Sequence, residues 1–372
     1  MKVFEIPMLA MSLLGLGLLS GVDTSRTYAD LTFGEPVNIE SLVPAKDNII
    51  DCFSSDGLEM YISSYNRTGG YGDWDLCVLR RASKDADWGP PENLGSTVNS
   101  SKEDSVSSIS ADGLSLYFNS NRPGGYGSFD IYMTTRKTKN DPWGKPVILP
   151  PPVNATGNVS DTAPWISSDG LELYFASFRA GGYGFADIYV TRRATPNDPW
   201  GLPVNLGPGV NSPTSDYFPC LSSDGLVLFF SDYMAGVRPP RPGGHGCGDM
   251  WMTRRTTLSA PWGPAVNLGP QVNGPEDNIV PRISLDGSTL YYATGIQYGV
   301  WNYFKVPIIP IVDFNGDKKV DLVDLVMLIN DWGKSNSVCD IGPMPWGDGK
   351  VDIEDLKVFM TYYEKENPPA RP

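Results

Sequence analysis

Histidine is almost missing from this chain: His245 stands alone among 372 residues. That excludes metal centres built on several imidazoles. It also leaves any hydrolytic triad with one candidate base and no Gly-x-Ser-x-Gly turn to serve it. Basic residues are short as well, with 29 Lys and Arg against 43 Asp and Glu and a net charge of −14. Such a surface repels phosphate backbones, so cations rather than nucleic acid are the expected company. Long apolar runs are limited to Ile6–Leu19, and no transmembrane span is expected. That run follows Lys2 and precedes small and polar residues. Residues 1–29 therefore read as a secretory signal peptide cut after Ala29, which predicts a secreted or cell-surface protein. No Cys follows the run to suggest a lipid anchor. The five Cys are an odd number for a disulfide framework, and free, buried thiols are expected.

What the chain has in quantity is turn residues, 40 Gly and 33 Pro, and a phrase that repeats. Variants of Ser-Asp-Gly-Leu-x-Leu-Tyr-Phe place Asp-Gly pairs at Asp56-Gly57, Asp112-Gly113, Asp169-Gly170, Asp224-Gly225 and Asp286-Gly287, at spacings of 56, 57, 55 and 62 residues. A fixed period of that length means one supersecondary unit copied and stacked. Each copy holds short apolar runs separated by Gly, Pro, Asn and Asp, as in a four-stranded propeller blade. The fourth strands begin at Trp88-Gly89, Trp143-Gly144, Trp200-Gly201 and Trp262-Gly263. A fifth is missing after Val306 and stands instead at the other end, as Phe33-Gly34-Glu35-Pro36-Val37-Asn38. The prediction is an all-β, five-bladed propeller over residues 30–306, closed by its N-terminal strand so that no sheet edge is left bare.

The extended motif, Ser-Asp-Gly-Leu-x-Leu-Tyr-Phe-x-Ser-x-Arg-x-Gly-Gly-Tyr-Gly-x-x-Asp-Ile-Tyr, resembles the TolB-like, WD-type propeller repeat of bacterial envelope proteins. The resemblance implies a fold and a binding role, since propellers host many activities. Three repeated features are candidates for more. Arg67, Arg122, Arg179 and Arg241 are expected to bridge to Asp75, Asp130, Asp187 and Asp249 and so pin the Gly-rich loop. Asp47, Asp104, Asp161, Asp216 and Asp277 recur at the crossing between blades. They either cap their own turns or ring the channel mouth as a cation or polar-ligand site. Tyr71, Tyr126 and Tyr183, with His245 in the fourth copy, sit in Gly-Gly-x-Gly loops, where aromatic rings suit sugars as well as ordinary loop packing.

The composition changes after Val306. A linker is expected over 307–312, a small α-helical module over 313–366 and a tail over 367–372. Asp313, Asn315, Asp317, Asp321 and Asp324 fall at positions 1, 3, 5, 9 and 12 of a calcium loop, with the Lys319 carbonyl at position 7. Lys318 occupies position 6, where Gly normally relieves a positive φ at a cost of ~1 kcal/mol to other residues. A second loop holds Asp340, Asp348, Lys350, Asp352 and Asp355 but carries four extra residues after Asp340. The pair resembles a type I dockerin, which implies Ca²⁺ and a cohesin-type partner contacted through Leu322-Val323 and Ile353-Glu354. Those pairs are unusually apolar, so burial inside the module is an alternative.

No catalytic residues are assigned. The repeated carboxylates are symmetric, whereas glycoside hydrolysis needs two in unlike environments. Asp51, which breaks a Pro shared by Pro164, Pro219 and Pro281, is the best lone candidate. The expectation is a secreted, non-catalytic protein whose propeller binds a glycan or protein. Its calcium module would attach it to an extracellular assembly linked to polysaccharide degradation. The alternative is a propeller glycoside hydrolase or lyase with its own dockerin.

Overall fold

The computed structural model describes residues 31–40, 48–232, 241–297, 300–335 and 337–368; the expected signal peptide and Asp47 lie outside them. The described residues fall into two units, Leu31–Ile309 and the residues from Pro310 onward.

The first unit is a five-bladed propeller. Inner strands run over Asn48–Phe53, Asp104–Ile109, Asp161–Ile166, Tyr217–Leu221 and Asp277–Ile283. Each pairs antiparallel with a second strand, and that with a third. Two-residue outer strands finish four blades, at Glu92–Asn93, Val147–Ile148, Val204–Asn205 and Val266–Asn267. The fifth blade takes its edge from the start of the described chain: Val37 stands opposite Lys305 and Asn38 opposite Phe304. The Gly34 N–H donates to the Pro307 carbonyl at 3.0 Å in the same seam. The closing strand is thus where the repeat count places it.

One difference is the length of the last strand. It runs over Val300–Pro310, through most of the stretch expected as a linker. The backbone there is claimed from both sides, Pro307 by Gly34 and Ile308 by Ser288.

Local chemistry explains the repeat. In the first blade the Ser54 hydroxyl donates to Asp56 at 2.6 Å and accepts from the Glu59 N–H, while the same Asp56 oxygen accepts from the Leu58 N–H. Gly57 completes the turn at φ +70°, a conformation that a Cβ disfavours. In four of the blades a guanidinium donates to the carbonyl of that turn's Gly and lies over the turn Trp: Arg81 over Trp88, Arg136 over Trp143, Arg193 over Trp200 and Arg255 over Trp262. Apolar second-strand residues such as Tyr61, Phe118, Phe175 and Phe230 are fully buried between blades. Two buried ion pairs bolt neighbours together, Arg136 to Glu59 and Arg255 to Glu172. All five cysteines are free, and all but Cys247 are buried.

In the second unit, helices α1 (Leu322–Asn330) and α2 (Ile353–Glu366) each begin at a capping box, Asp321 with Asp324 and Asp352 with Asp355. Phe314, Leu328, Ile341, Val351 and Phe359 share their small core. No helix among the described residues is long and apolar enough to cross a membrane.

Candidate functional site: the central cavity

Every inner strand of the propeller is interrupted by a bulge. Four of the bulges hold a non-glycine residue in the left-handed region: Val106 (φ 49°), Ala163 (51°), Phe218 (54°) and Val280 (57°). For β-branched Val this is a real outlier, and bulges next to sites re-aim groups at local cost. The cost is offset by neighbouring blades. The Val106 N–H donates to the Ser63 hydroxyl at 2.8 Å and the Ala163 N–H to Asn119 at 3.1 Å. These four side chains join Ile49, Ile50 and Ile279 in one apolar cluster that forms a collar around the axis.

Above the collar, at the end where the Gly-rich loops lie, is a cavity of about 360 Å³. Trp74, Phe129 and Trp301, each at the entry to a third strand, wall it from three adjacent blades, and Phe178 and Tyr217 close the far side. Its polar fringe is a relay: Asn119 donates to Ser105 at 3.0 Å, and Ser105 to Glu103 at 3.0 Å. Thr162 and the Tyr217 hydroxyl share a second hydrogen bond. Burial raises the Glu103 carboxyl above its usual range; the Ser105 bond opposes this, and Asp73 and Asp104 add to it. Aromatic rings together with a short hydrogen-bonding strip in one cavity suit a ring that is apolar on its faces and polar at its edges.

Below the collar the channel is filled. Asp51 is fully buried and accepts from Ser63 at 2.7 Å and Ser107 at 2.9 Å. Burial lifts its carboxyl to about 6, against those bonds and the charge of Arg282. Arg282 is itself buried, 5.4 Å over the Trp165 ring. Asp51 therefore has no access to a substrate in the cavity, and the lone catalytic candidate of the sequence is a core residue.

The repeated carboxylates also have occupations other than lining the cavity. Asp104, Asp161 and Asp216 are buried and bind Arg122, Arg179 and Arg241. They also accept from the N–H groups of Ser100, Ala155 and Ser212. Asp277, buried too, opens the fifth inner strand. None of these four borders the cavity. The expected Arg–Asp pairing is thereby corrected. Each of these three guanidinium groups reaches the inner-strand Asp, where it also meets a carbonyl (Val98, Val153 or Val210) and an aromatic face. Asp75, Asp130, Asp187 and Asp249 pin the Gly-rich loops differently, by accepting the backbone N–H groups of Tyr71, Tyr126, Tyr183 and His245 at 2.5–2.8 Å. The side chains of those four loop residues are exposed on the rim and do not line the cavity.

Sequence reasoning passed over Glu103, Trp74, Phe129 and Trp301. Their signal was irregularity. The residue before the third-strand Asp reads Trp74, Phe129, Ala186 and Gly248, with Trp301 in the fifth copy, so the repeat breaks where the cavity is built.

The two C-terminal loops prove equivalent in structure. Asp313 gathers the N–H groups of Gly316, Asp317 and Lys318, and Asp340 those of Asp348 and Gly349. Asp324 accepts from Phe314, Asn315 and Asp321, and Asp355 likewise from Ile341, Gly342 and Asp352. Lys318 has φ 70° and its counterpart Gly349 φ 99°. The four extra residues fit between Gly342 and Gly347, with Pro345 and Trp346 buried, and the same backbone hydrogen bonds are kept on either side. Burial, with Asp355 and Asp348 nearby, raises Asp340 to about 6. Among the described residues no three Asp, Glu, His or Cys side chains converge as an ion-binding group. Leu322 and Val323 are 60% and 52% exposed and Ile353 is 50% exposed, so their burial within the module is ruled out.

No family model matches this chain, and no curated protein does. Among solved structures it is similar to TolB from Acinetobacter baumannii, at 16% identity over 70% of this chain with a TM-score of 0.43, and spans 54% of that chain. It is also similar to the catalytic domain of a Coprinopsis cinerea GH62 alpha-L-arabinofuranosidase, at 13% identity over 76% of this chain and 98% of that one, TM-score 0.48. An alpha-L-arabinofuranosidase from Lactobacillus brevis matches at 13% identity over 79% and 94%, TM-score 0.42.

Proposed function

We propose that this is an exported, non-catalytic binding protein. Its propeller takes a sugar ring in the central cavity, and its C-terminal module attaches it to an extracellular assembly. The observation that carries the first half is that Trp74, Phe129 and Trp301 line the same cavity as the Asn119–Ser105–Glu103 relay. Stacking on apolar ring faces plus a few placed hydrogen bonds is how such pockets hold small polar rings.

For the module, the donor set of the first loop is all oxygen: Asp313, Asn315, Asp317, Asp321, Asp324 and the Lys319 carbonyl. That is the chemistry Ca²⁺ selects, and the ion would supply a rigid cross-link between loop and helix. The second loop, with Asp340, Asp348, Lys350, Asp352 and Asp355, offers a similar set on a wider frame. Docking to a cohesin-type or cell-surface protein falls to the exposed apolar face of α1, Leu322, Val323, Val326 and Ile329.

A hydrolase or lyase reading has one observation in its favour, the raised carboxyl of Glu103 at the cavity wall, as a general acid requires. It lacks the second carboxylate that glycoside hydrolysis uses, since Glu103 is the only one among the described residues lining the cavity.

The test is a panel of arabinan, xylan, galactan and β-glucan, scored for retention and for release of reducing ends. Retention without release, lost in Ser160→Trp, is the expected result, because Ser160 lines the cavity without being fully buried. Release that disappears in Glu103→Gln would replace the binding reading with the catalytic one.

A further inference from the structure

We infer that the cavity accepts the end of a glycan chain and not a segment of its interior, an inference that rests on the sugar-binding reading above. The cavity is blind. Its floor is the collar of Val106, Ala163, Phe218 and Val280, and beneath it Asp51, Ser107, Cys220 and Arg282 are at most 1% exposed. A polymer can neither thread the channel nor leave by the Asp-Gly end, where a separate space of about 60 Å³ lies between the turns.

Lying across the mouth serves no better. Ser105 and Asn119, the hydrogen-bonding heart of the site, are 2% and 3% exposed, so only a group inside the cavity meets them. A sugar in mid-chain carries a neighbour on both sides, and here the walls surround it: Trp301, Trp74 and Phe129 stand on three consecutive blades and Phe178 on the next. A terminal sugar has one neighbour only, which can point out of the mouth. The volume, about 360 Å³, lies at the small end of the ~300–1,000 Å³ typical of ligand pockets and suits a terminal unit.

The experiment uses the full chain and whichever of the four polymers it retains, before and after partial acid hydrolysis of the same preparation. Calorimetry counts binding sites per gram, and a reducing-end assay counts chains. End recognition makes capacity follow chain number: halving the mean length doubles the sites per gram. Capacity that stays constant per gram, with binding still lost in Ser160→Trp, overturns chain-end recognition and leaves the cavity reading intact. Binding unchanged in Ser160→Trp, or no retention of any of the four polymers, overturns the cavity reading and this inference with it. A melting temperature of Ser160→Trp equal to the parent's is expected, so that its loss of binding reports filling of the cavity and not unfolding.

Discussion

Glu59 offers a direct test of what holds the blades together, because it has two guanidinium partners of opposite character. Arg136, from the next blade, donates to both carboxylate oxygens at 3.0 and 2.5 Å, and its side chain is 1% exposed. It also donates to the carbonyls of Gly113 and Lys139 and lies 4.5 Å over Trp143. Arg80, from the same blade, donates to Glu59 at 3.2 Å but is 44% exposed. Burial alone would raise the Glu59 carboxyl; the bond and charge of Arg136 outweigh it and hold the group below its usual range. Removing Arg136 leaves the buried carboxylate with only the Tyr61 hydroxyl and the exposed Arg80, at a cost approaching the ~3–5 kcal/mol of a broken buried pair. Removing Arg80 breaks an exposed pair, worth about 0–1 kcal/mol. Urea unfolding of Arg136→Met and Arg80→Met, followed by tryptophan fluorescence, measures both. Replacing Glu59 and Arg136 together by Met should recover much of the loss, since neither charge is then left alone. Equal losses in the two single variants, or a double variant no better than Arg136→Met, would refute the reasoning.

Three further outcomes follow from other parts of the molecule. Asp51 has its carboxyl raised from 3.8 to about 6 by burial, so the fold favours its protonated form. That contribution is complete below pH 3.8 and lost as pH rises through about 6, amounting to about 3 kcal/mol. Relative to Asp51→Asn, the parent protein should lose stability across that window in chemical denaturation; parallel pH profiles would contradict it. Calorimetric titration with Ca²⁺ should show at least one tight site that Asp313→Ala and Asp324→Ala abolish, and an absence of heat in the parent would defeat the calcium assignment. A Cβ at Gly127 would lie 2.0 Å from the Val159 carbonyl of the neighbouring blade. Gly127→Ala should therefore lower thermal stability by about 1–3 kcal/mol, and an unchanged melting temperature would show that the loop yields freely.

The architecture was legible in the sequence because repetition amplifies weak signals. One Ser-x-Asp-Gly turn is a turn; five at near-constant spacing are a ring, and a stray Phe33–Asn38 strand then has one place to go. Lys318 was readable for a similar reason: the loop register demanded a positive φ there, and the backbone has it. The cavity was not legible, since repetition hides whatever differs between copies. Trp74, Phe129 and Trp301 look like loop residues until the ring of blades brings them to one cavity. Sequence proximity points Arg122 to Asp130, whereas strand pairing brings it to Asp104. Asp51 looked functional for being an exception, yet its neighbours Ser63 and Ser107 show an exception accommodated by the core.

The most direct measurement is a crystal structure of the protein soaked with the shortest oligosaccharide it retains. The account expects a sugar ring between Trp74, Phe129 and Trp301, with a hydroxyl bound to the Glu103–Ser105–Asn119 relay and the rest of the chain leaving by the mouth. Density confined to the rim, on Tyr71, Tyr126 or Tyr183, with the cavity unchanged, would contradict it.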